Sequence, residues 1–521
     1  MKLLADHWLI LSMVAVYLGV CLGIGWYFRL RASQGVSAYY VARREIPGWV
    51  VSLAFFSTFA STNTYIGQAG EAFAAGLSWA WVGVFWTVFC MISWLLLGPR
   101  LRNQTAGLKS VTIPDYFEFR YRSPLARATR ILSGAAILLA TVWYMAGIAK
   151  GCAHLLASVV DIPYAWGAFA LISFTCLYTV MGGMYSVLWT DAIQGIMIFA
   201  VAILMVSLPF VYAGGPAELM ARISDVDHLS RTGEPIGDGL VTFGSLVSFT
   251  YILGIGLAVG MKQIAEPRCL VRFYSVDNAR GMRFAMIWTP VFLGISLLCV
   301  MGLGALVHGM ATREEAAYLV QNTDEVVGFM LAKFGNPAVS GLCITGLFAA
   351  GMSSLASAML VVGTVLVNDV WNAWRPMPRT RIVPRTKAAI AGYSALVFLA
   401  TVYPPAGIVE LTSFAGAIFA ASFFPAVFGG LYLRWGTGHG AFWSMLIGVV
   451  SCLVWRFGLR FRVEGLRDVH EIIPAFVISL LAYLVISRAT SGQLPPKEHL
   501  DRLFGTPPEA AEPVGGRFRL P

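Results

Sequence analysis

Apolar runs long enough to be membrane spans recur along the whole chain, near 8–28, 46–69, 76–98, 125–158, 162–182, 187–213, 238–262, 284–310, 336–368, 386–403, 406–433, 438–457 and 472–488. A bilayer core of ~30 Å takes about 20 helical residues to cross. The pattern therefore predicts an all-α polytopic membrane protein with about 13 transmembrane helices. The first run follows only Lys2 and lacks a small-x-small cleavage site, so it reads as a retained helix rather than a signal peptide.

An odd number of spans puts the termini on opposite sides. The connections rich in Arg and Lys (29–44, 100–130, 262–283, 375–387 and the tail after 488) all fall on one side, which the positive-inside rule assigns to the cytoplasm. The expected arrangement is a multi-pass protein of the cell membrane with its N-terminus outside and its C-terminus inside. One loop opposes it, with Arg456, Arg460, Arg462 and Arg467 on the outer side, diluted by Glu464, Asp468 and Glu471. The loops near 214–236 and 311–335 carry mixed charge, as outer loops do. The tail from Ser491 is rich in proline, glycine and charge and is expected to be flexible.

Composition closes off the soluble alternatives. Of 521 residues, 58% are hydrophobic and only 12% charged, about half the charged share of a soluble protein. The net charge of +10 follows from the cytoplasmic loops and calls for no nucleic-acid partner. The 8 cysteines are scattered through apolar runs without paired spacing, so neither a zinc site nor a disulfide framework is indicated. The 7 histidines lie in loops or near span ends with no nucleophile, base or carboxylate grouped at one depth, which argues against an intramembrane enzyme. Nothing points to an obligate protein partner; the lipid bilayer, a small solute and an ion are the expected ones.

Polar clusters inside spans need a reason, because a span must satisfy its own backbone. The second span carries Ser57-Thr58-Phe59-Ala60-Ser61-Thr62-Asn63-Thr64-Tyr65-Ile66-Gly67-Gln68-Ala69-Gly70. Such a run suits a helix that breaks near the bilayer centre and offers carbonyls to a cation; it also suits close interhelical packing. The ninth span carries Ala350-Gly351-Met352-Ser353-Ser354-Leu355-Ala356-Ser357, in which Ser353 and Ser357 share a face. Oxygen-only ligands favour an alkali or alkaline-earth ion. Asp191, near the start of the sixth span, is either an interfacial helix cap or an ion-path residue. Lys262 reads chiefly as a snorkelling interfacial lysine, with an ion-pair partner for an anionic solute as the alternative.

Together these segments resemble the sodium/solute symporter family, which includes sodium/glucose, sodium/proline, monocarboxylate, iodide and vitamin carriers. Thr112-Ile113-Pro114-Asp115-Tyr116-Phe117-Glu118-Phe119-Arg120-Tyr121 is similar to its T-x-P-E-Y-x-x-x-R-F pattern, and Gly182-Gly183-Met184-Tyr185-Ser186-Val187-Leu188-Trp189-Thr190-Asp191-Ala192-Ile193-Gln194 to its G-G-x-x-x-V-x-W-T-D-x-x-Q signature. Asn368-Asp369-Val370 and Pro267 with Val271-Arg272-Phe273 also fit.

The resemblance implies two inverted five-helix repeats, 46–213 and 237–433, joined by an extracellular loop at 214–236. An extra helix and loop (1–45) precede them, and two helices (434–490) and the tail (491–521) follow. It implies a sodium ion held by carbonyls of Ser57, Ala60 and Ala350 and hydroxyls of Ser353 and Ser354. A second sodium would use Asp191 and Ser357, though Ala356 stands where a hydroxyl is common, so one sodium per cycle is expected.

The solute should lie at midplane beside the ion, with Thr62, Asn63, Thr64, Gln68, Trp86, Trp143, Tyr144, Gln263, Thr412 and Phe414 as candidate contacts. Trp86 and Thr64 depart from the residues sugar carriers place there. The expected function is sodium-coupled symport of an amino acid or small carboxylate by alternating access. A sugar or vitamin carrier, a sodium-independent facilitator and a transporter-like sensor are the alternatives.

Overall fold

The computed structural model describes residues 2–505 of the chain. Among the described residues, ten helices are long and apolar enough to cross a membrane, against thirteen expected spans. Two physical causes account for the difference. Tyr164–Ala213 is one run of helix covering two expected spans, kinked where Gly183 takes φ 53, a left-handed conformation open to glycine at little steric cost. The expected spans at 46–69 and 238–262 are broken into short pieces instead.

Those two broken helices open the two repeats. Gly48–Phe59 ends at Ala60, and the chain resumes as a π-helical turn, Asn63–Gln68, followed by Ala69–Ala75. Phe249–Gly260 tightens into Met261–Ile264, stops at Ala265 and Glu266, and resumes as Pro267–Ser275. Proline at the first helical position lacks the N–H that would continue the preceding helix. Ile46 N–H donates to Ser275 O at 3.0 Å and Asp277 N–H to Ile46 O at 3.0 Å. The start of the first broken helix thus meets the end of the second, as inversion of the repeats requires. At that meeting point Gly48 lies against the backbone of Gly281, where a Cβ would fall 2.1 Å from a carbonyl oxygen.

The Arg- and Lys-rich segments gather at one end of the bundle. Arg44 donates to Ser110 O, Arg102 to Val276 O and Arg120 to Gly430 O, at 2.7, 2.8 and 2.8 Å. Here Arg130 joins two of the sequence motifs: its guanidinium takes Asp115 at 2.5 Å, Glu118 at 2.6 Å and Asp369 at 2.9 Å. Thr112 caps the helix holding Asp115 and donates to Asp369 at 3.0 Å. Gln194, the last residue of the glycine-led signature, donates to Tyr17 at 2.6 Å and so docks the extra N-terminal helix.

The tail departs from expectation at its start. Lys497–Phe504 is an amphipathic helix, with His499 and Leu500 buried and Asp501 paired with Arg434. Its apolar face covers the ends of other helices, which the proline-rich composition concealed. Residues 506–521 lie outside the described residues.

At the opposite end, Arg231 grips Glu71 with two bonds of 2.9 Å, Lys150 meets Asp324 at 2.7 Å, and Arg456 pairs with Glu410. Arg460 pairs with Glu471 at 3.0 Å. The opposing charge of the 456–467 loop is therefore partly neutralised by acids on this same surface.

Candidate functional site

At the first break, Ser61 N–H bonds Phe59 O at 2.9 Å instead of reaching back a full turn to Ser57. The carbonyl of Ser57 is released from the helix ladder and points at the helix Pro337–Thr364. There Ser353 Oγ donates to Ser57 O at 2.9 Å and to Ala350 O at 3.0 Å, while Ser354 Oγ donates to Thr58 O at 2.8 Å. Ser57, Ala350, Ser353 and Ser354 are thus brought together, with Ala60 at the turn of the break, and every one of them is fully buried. The donor set is all oxygen, which suits a hard monovalent or alkaline-earth cation.

Asp191 and Ser357 go different ways. Ser357 turns onto its own helix, donating to Ser353 O and Ser354 O at 3.0 Å each. Asp191 is fully buried and meets Arg272 Nη2 at 2.5 Å, with Thr58 Oγ1 3.2 Å away. Asp191 Oδ2 is thus engaged in an internal ion pair, and Asp191 Oδ1 has no hydrogen-bond partner among the described residues.

The solute candidates divide similarly. Asn63 Oδ1 accepts from Thr412 Oγ1 at 2.8 Å and from Gln68 Nε2 at 3.5 Å, and Gln68 Oε1 accepts from Trp79 Nε1 at 2.9 Å. Gln263 Nε2 donates to Trp86 O at 2.7 Å, and the Trp86 ring stands edge-on to Phe59 at the break. Tyr144 lies under the side chains of Lys262 and Arg268.

Four others do not join these contacts. Thr62 ties to Ile148 O at 2.8 Å and Thr64 to Phe59 O at 3.2 Å, both satisfying backbone. Trp143 is a partly buried packing residue. Phe414, two positions beyond Thr412 and so on another face of its helix, packs on Phe457 and under Arg456.

The largest correction concerns 262–283, expected to be a positively charged loop. Lys262, Glu266, Arg268 and Arg272 are all buried, Lys262 only 1% exposed, so Lys262 does not snorkel. Arg268 Nη1 donates to Thr58 O at 2.7 Å, linking the second break to the first. The signal was present in the sequence: Lys262 and Glu266, then Arg268 and Arg272, are spaced four apart around a proline at the end of an apolar run. The positive-inside rule absorbed it.

A cavity of about 520 Å³ opens at the end that carries Glu71, Lys150 and Arg456. Ile408 and Val409 form its floor, and a Cβ on Gly67 would touch both at 3.1 Å. Two lining residues of the cavity thus pack on the turn Asn63–Gln68. Toward the arginine-rich end, the crevice between Tyr40, Thr112 and Val271 holds about 10 Å³.

The profile of the sodium:solute symporter family matches residues 39–448. The osmoregulated proline transporter OpuE of Bacillus subtilis is 26% identical over 95% of this chain and 97% of its own length. The high-affinity proline transporter PutP of the same organism is 28% identical over 89% and 95%, and the sodium/proline symporter of Salmonella typhimurium 27% over 88% of each. Among solved structures, a substrate-bound, outward-open sodium-coupled sialic acid symporter superposes with a TM-score of 0.75 at 17% identity, covering 94% of this chain and 98% of that one.

Proposed function

The chain belongs to the sodium:solute symporter family, and from that premise we propose that it carries an amino acid or small carboxylate together with one sodium ion across the plasma membrane. Sodium-coupled symport of a small organic solute is its activity, and it is a transporter rather than an enzyme. The choice of solute is supported by the curated relatives, which are proline carriers.

The observation that carries the reading is the bridge from Ser353 Oγ to Ser57 O and Ala350 O, 2.9 and 3.0 Å long. In it one hydroxyl spans the broken helix and its neighbour. A sodium ion bound here by Ser57, Ala60, Ala350, Ser353 and Ser354 would find only oxygen donors. A hydroxyl that now donates its proton to carbonyls would turn its lone pairs to the ion. Sodium would then join the two helices that must move relative to each other during alternating access, so occupancy on one face favours closure around the solute.

The proposed solute residues are those that line or adjoin the two breaks: Asn63, Gln68, Trp86, Tyr144, Gln263 and Thr412. The arginine-rich end is proposed to be cytoplasmic, with the N-terminus outside, because the positive-inside bias attaches to that end. The 520 Å³ cavity is then the external entrance. The test is uptake into proteoliposomes of the full chain with and without an inward sodium gradient, with labelled L-proline and propionate as solutes and glucose as control. Uptake of L-proline or propionate that needs the gradient supports the proposal. Equal uptake with and without it overturns sodium coupling, and sodium-driven uptake of glucose alone overturns the solute class.

A further inference from the structure

The second break holds more charge and more hydrogen-bonding capacity than the fold consumes. Glu266 accepts Arg268 Nε at 2.6 Å on one oxygen and has Lys262 Nζ 3.8 Å from the other. Two basic side chains therefore share a single carboxylate, in a place where all three side chains are at most 3% exposed. Both cations lie over the ring of Tyr144, at 3.7 and 4.1 Å from its centroid. A ring face stabilises a cation by less than desolvating an ion costs. Asp191 gives no relief, because Arg272 already pairs with it at 2.5 Å.

Several buried polar atoms of this region are unused. Arg268 Nη2 and Trp86 Nε1 are buried donors without a hydrogen-bond partner among the described residues, and Gln263 Oε1 is a buried acceptor in the same state. The Tyr144 hydroxyl faces Ser354 and Ser61 and lacks a hydrogen bond of normal length. Leaving a buried polar group unpaired is costly, and here several such groups belong to the residues at the second break and their neighbours, tied to the first break through Arg268 and Thr58.

We infer that Lys262 and Arg268 are the anion-recognition element of the solute site, and that the cargo is a monocarboxylate bearing one net negative charge. The inference rests on the reading of the chain as a carrier of an amino acid or small carboxylate. One carboxylate cancels the excess charge and accepts from the Arg268 and Lys262 donors, while Gln263 Oε1 accepts from a hydroxyl or N–H elsewhere on the cargo. A dicarboxylate leaves a negative charge unpaired in the core, and a neutral sugar or zwitterion leaves the positive one.

The test uses the purified full chain in sodium buffer and matched probes, propionate with propionamide and benzoate with benzamide, read by tryptophan fluorescence and by thermal shift. The parent should bind each carboxylate at least about tenfold better than its amide, as expected when a charged hydrogen-bonding partner is lost. Lys262→Met, which removes the excess charge, should abolish that preference. The double variant Lys262→Met with Glu266→Gln frees Arg268 as the excess cation and should restore it. Recovery by a second substitution is a result that a merely structural role does not produce. A full preference in Lys262→Met, or no recovery in a double variant that still melts cooperatively, overturns the inference. A parent that responds to L-proline but to neither carboxylate also overturns it while leaving the carrier reading intact, whereas a parent that responds only to glucose overturns the carrier reading itself.

Discussion

Arg272 places its Nη2 2.5 Å from Asp191 Oδ2 in the buried core, 81 positions apart in sequence. The aspartate belongs to the first repeat and the arginine to the second broken helix, so this ion pair ties the two halves together beside the Thr58 hydroxyl, which both side chains also contact. Breaking a buried pair by removing one partner costs about 3–5 kcal/mol, because the other charge stays buried alone. Asp191→Asn should therefore lower thermal stability in detergent markedly, and Asp191→Asn combined with Arg272→Gln should recover most of the loss. A double variant no more stable than the single one would show that the pair is not the source.

Stoichiometry follows from the same contact. With Asp191 Oδ2 held by Arg272 and Ser357 turned onto its own helix, the proposed cation site is the one formed around Ser353 and Ser354. Reversal potentials in proteoliposomes should give one sodium per solute. An anionic solute would then move nearly without net charge, while a neutral one would be driven by ~2.3 kcal/mol per 100 mV. Two sodium ions per solute would restore Asp191 and Ser357 as a second site.

The sequence carried the helical class and the first break, because a polar run inside an apolar span is conspicuous. It did not carry the second break. Lys262, Glu266, Arg268 and Arg272 sit at the end of an apolar run, where positive charge is expected at a membrane face, and only tertiary packing shows that all four turn inward. The docked helix Lys497–Phe504 was hidden for the converse reason, since a short amphipathic segment among prolines and charges resembles a solvated tail until a surface covers its apolar side. Phe414 shows the limit of residue-type reasoning: it is aromatic and near Thr412, but its position on the helix carries it to Phe457.

Ser353 and Ser354 separate packing from ion binding. Each donates to a carbonyl of the first broken helix, at 2.9 and 2.8 Å, and a lost neutral hydrogen bond contributes only ~0.5–1.5 kcal/mol to stability. Ser353→Ala and Ser354→Ala should fold and reach the membrane, yet each should raise the sodium concentration for half-maximal uptake several-fold, about what one lost ligand of ~1 kcal/mol produces. Sodium dependence unchanged in both variants would falsify the assignment of these hydroxyls.

The end that carries the short antiparallel strands Val226–Leu229 and Pro235–Gly237 should respond to acid. His308 is buried, with Nε2 2.8 Å from Phe73 O and Nδ1 2.8 Å from Nδ1 of His228. The Phe73 carbonyl only accepts, so His308 carries its proton on Nε2 and accepts from His228 on Nδ1. Burial is the main cause that holds His308 down at about 3, with the neighbouring His228 adding to it. The folded form therefore resists a proton that the unfolded segment takes up near 6.5. Stability is fully present above about 6.5 and falls as pH drops below it, by ~1.4 kcal/mol per unit, or ~2 kcal/mol by pH 5. Hydrogen exchange of 226–240 and 303–310 should quicken at pH 5 relative to 7.5, and His308→Gln should flatten that dependence. Exchange that does not change with pH would remove the pair as the acid-sensitive element.

Asn63 distinguishes a packing role from a binding role for the first broken helix. Its Oδ1 accepts from Thr412 and Gln68 at 2.8 and 3.5 Å, and Thr412 lies one helical turn from Ile408, which lines the 520 Å³ cavity. If the amide only packs, leucine should be tolerated, since a membrane core favours leucine over a polar amide by up to a few kcal/mol. If it helps hold a polar solute, leucine leaves Thr412 and the solute unpaired at ~1–3 kcal/mol per buried group. Asn63→Leu should thus reach the membrane and keep its sodium response, whose ligands on this helix are carbonyls, but lose solute affinity by about tenfold or more. Thr412→Val removes the same hydrogen bond from the other side without adding bulk, and should weaken solute binding less, because Asn63 stays free to meet the solute. Equal solute affinity in Asn63→Leu and the parent would move the solute away from this turn, toward Gln263 and Lys262 at the second break.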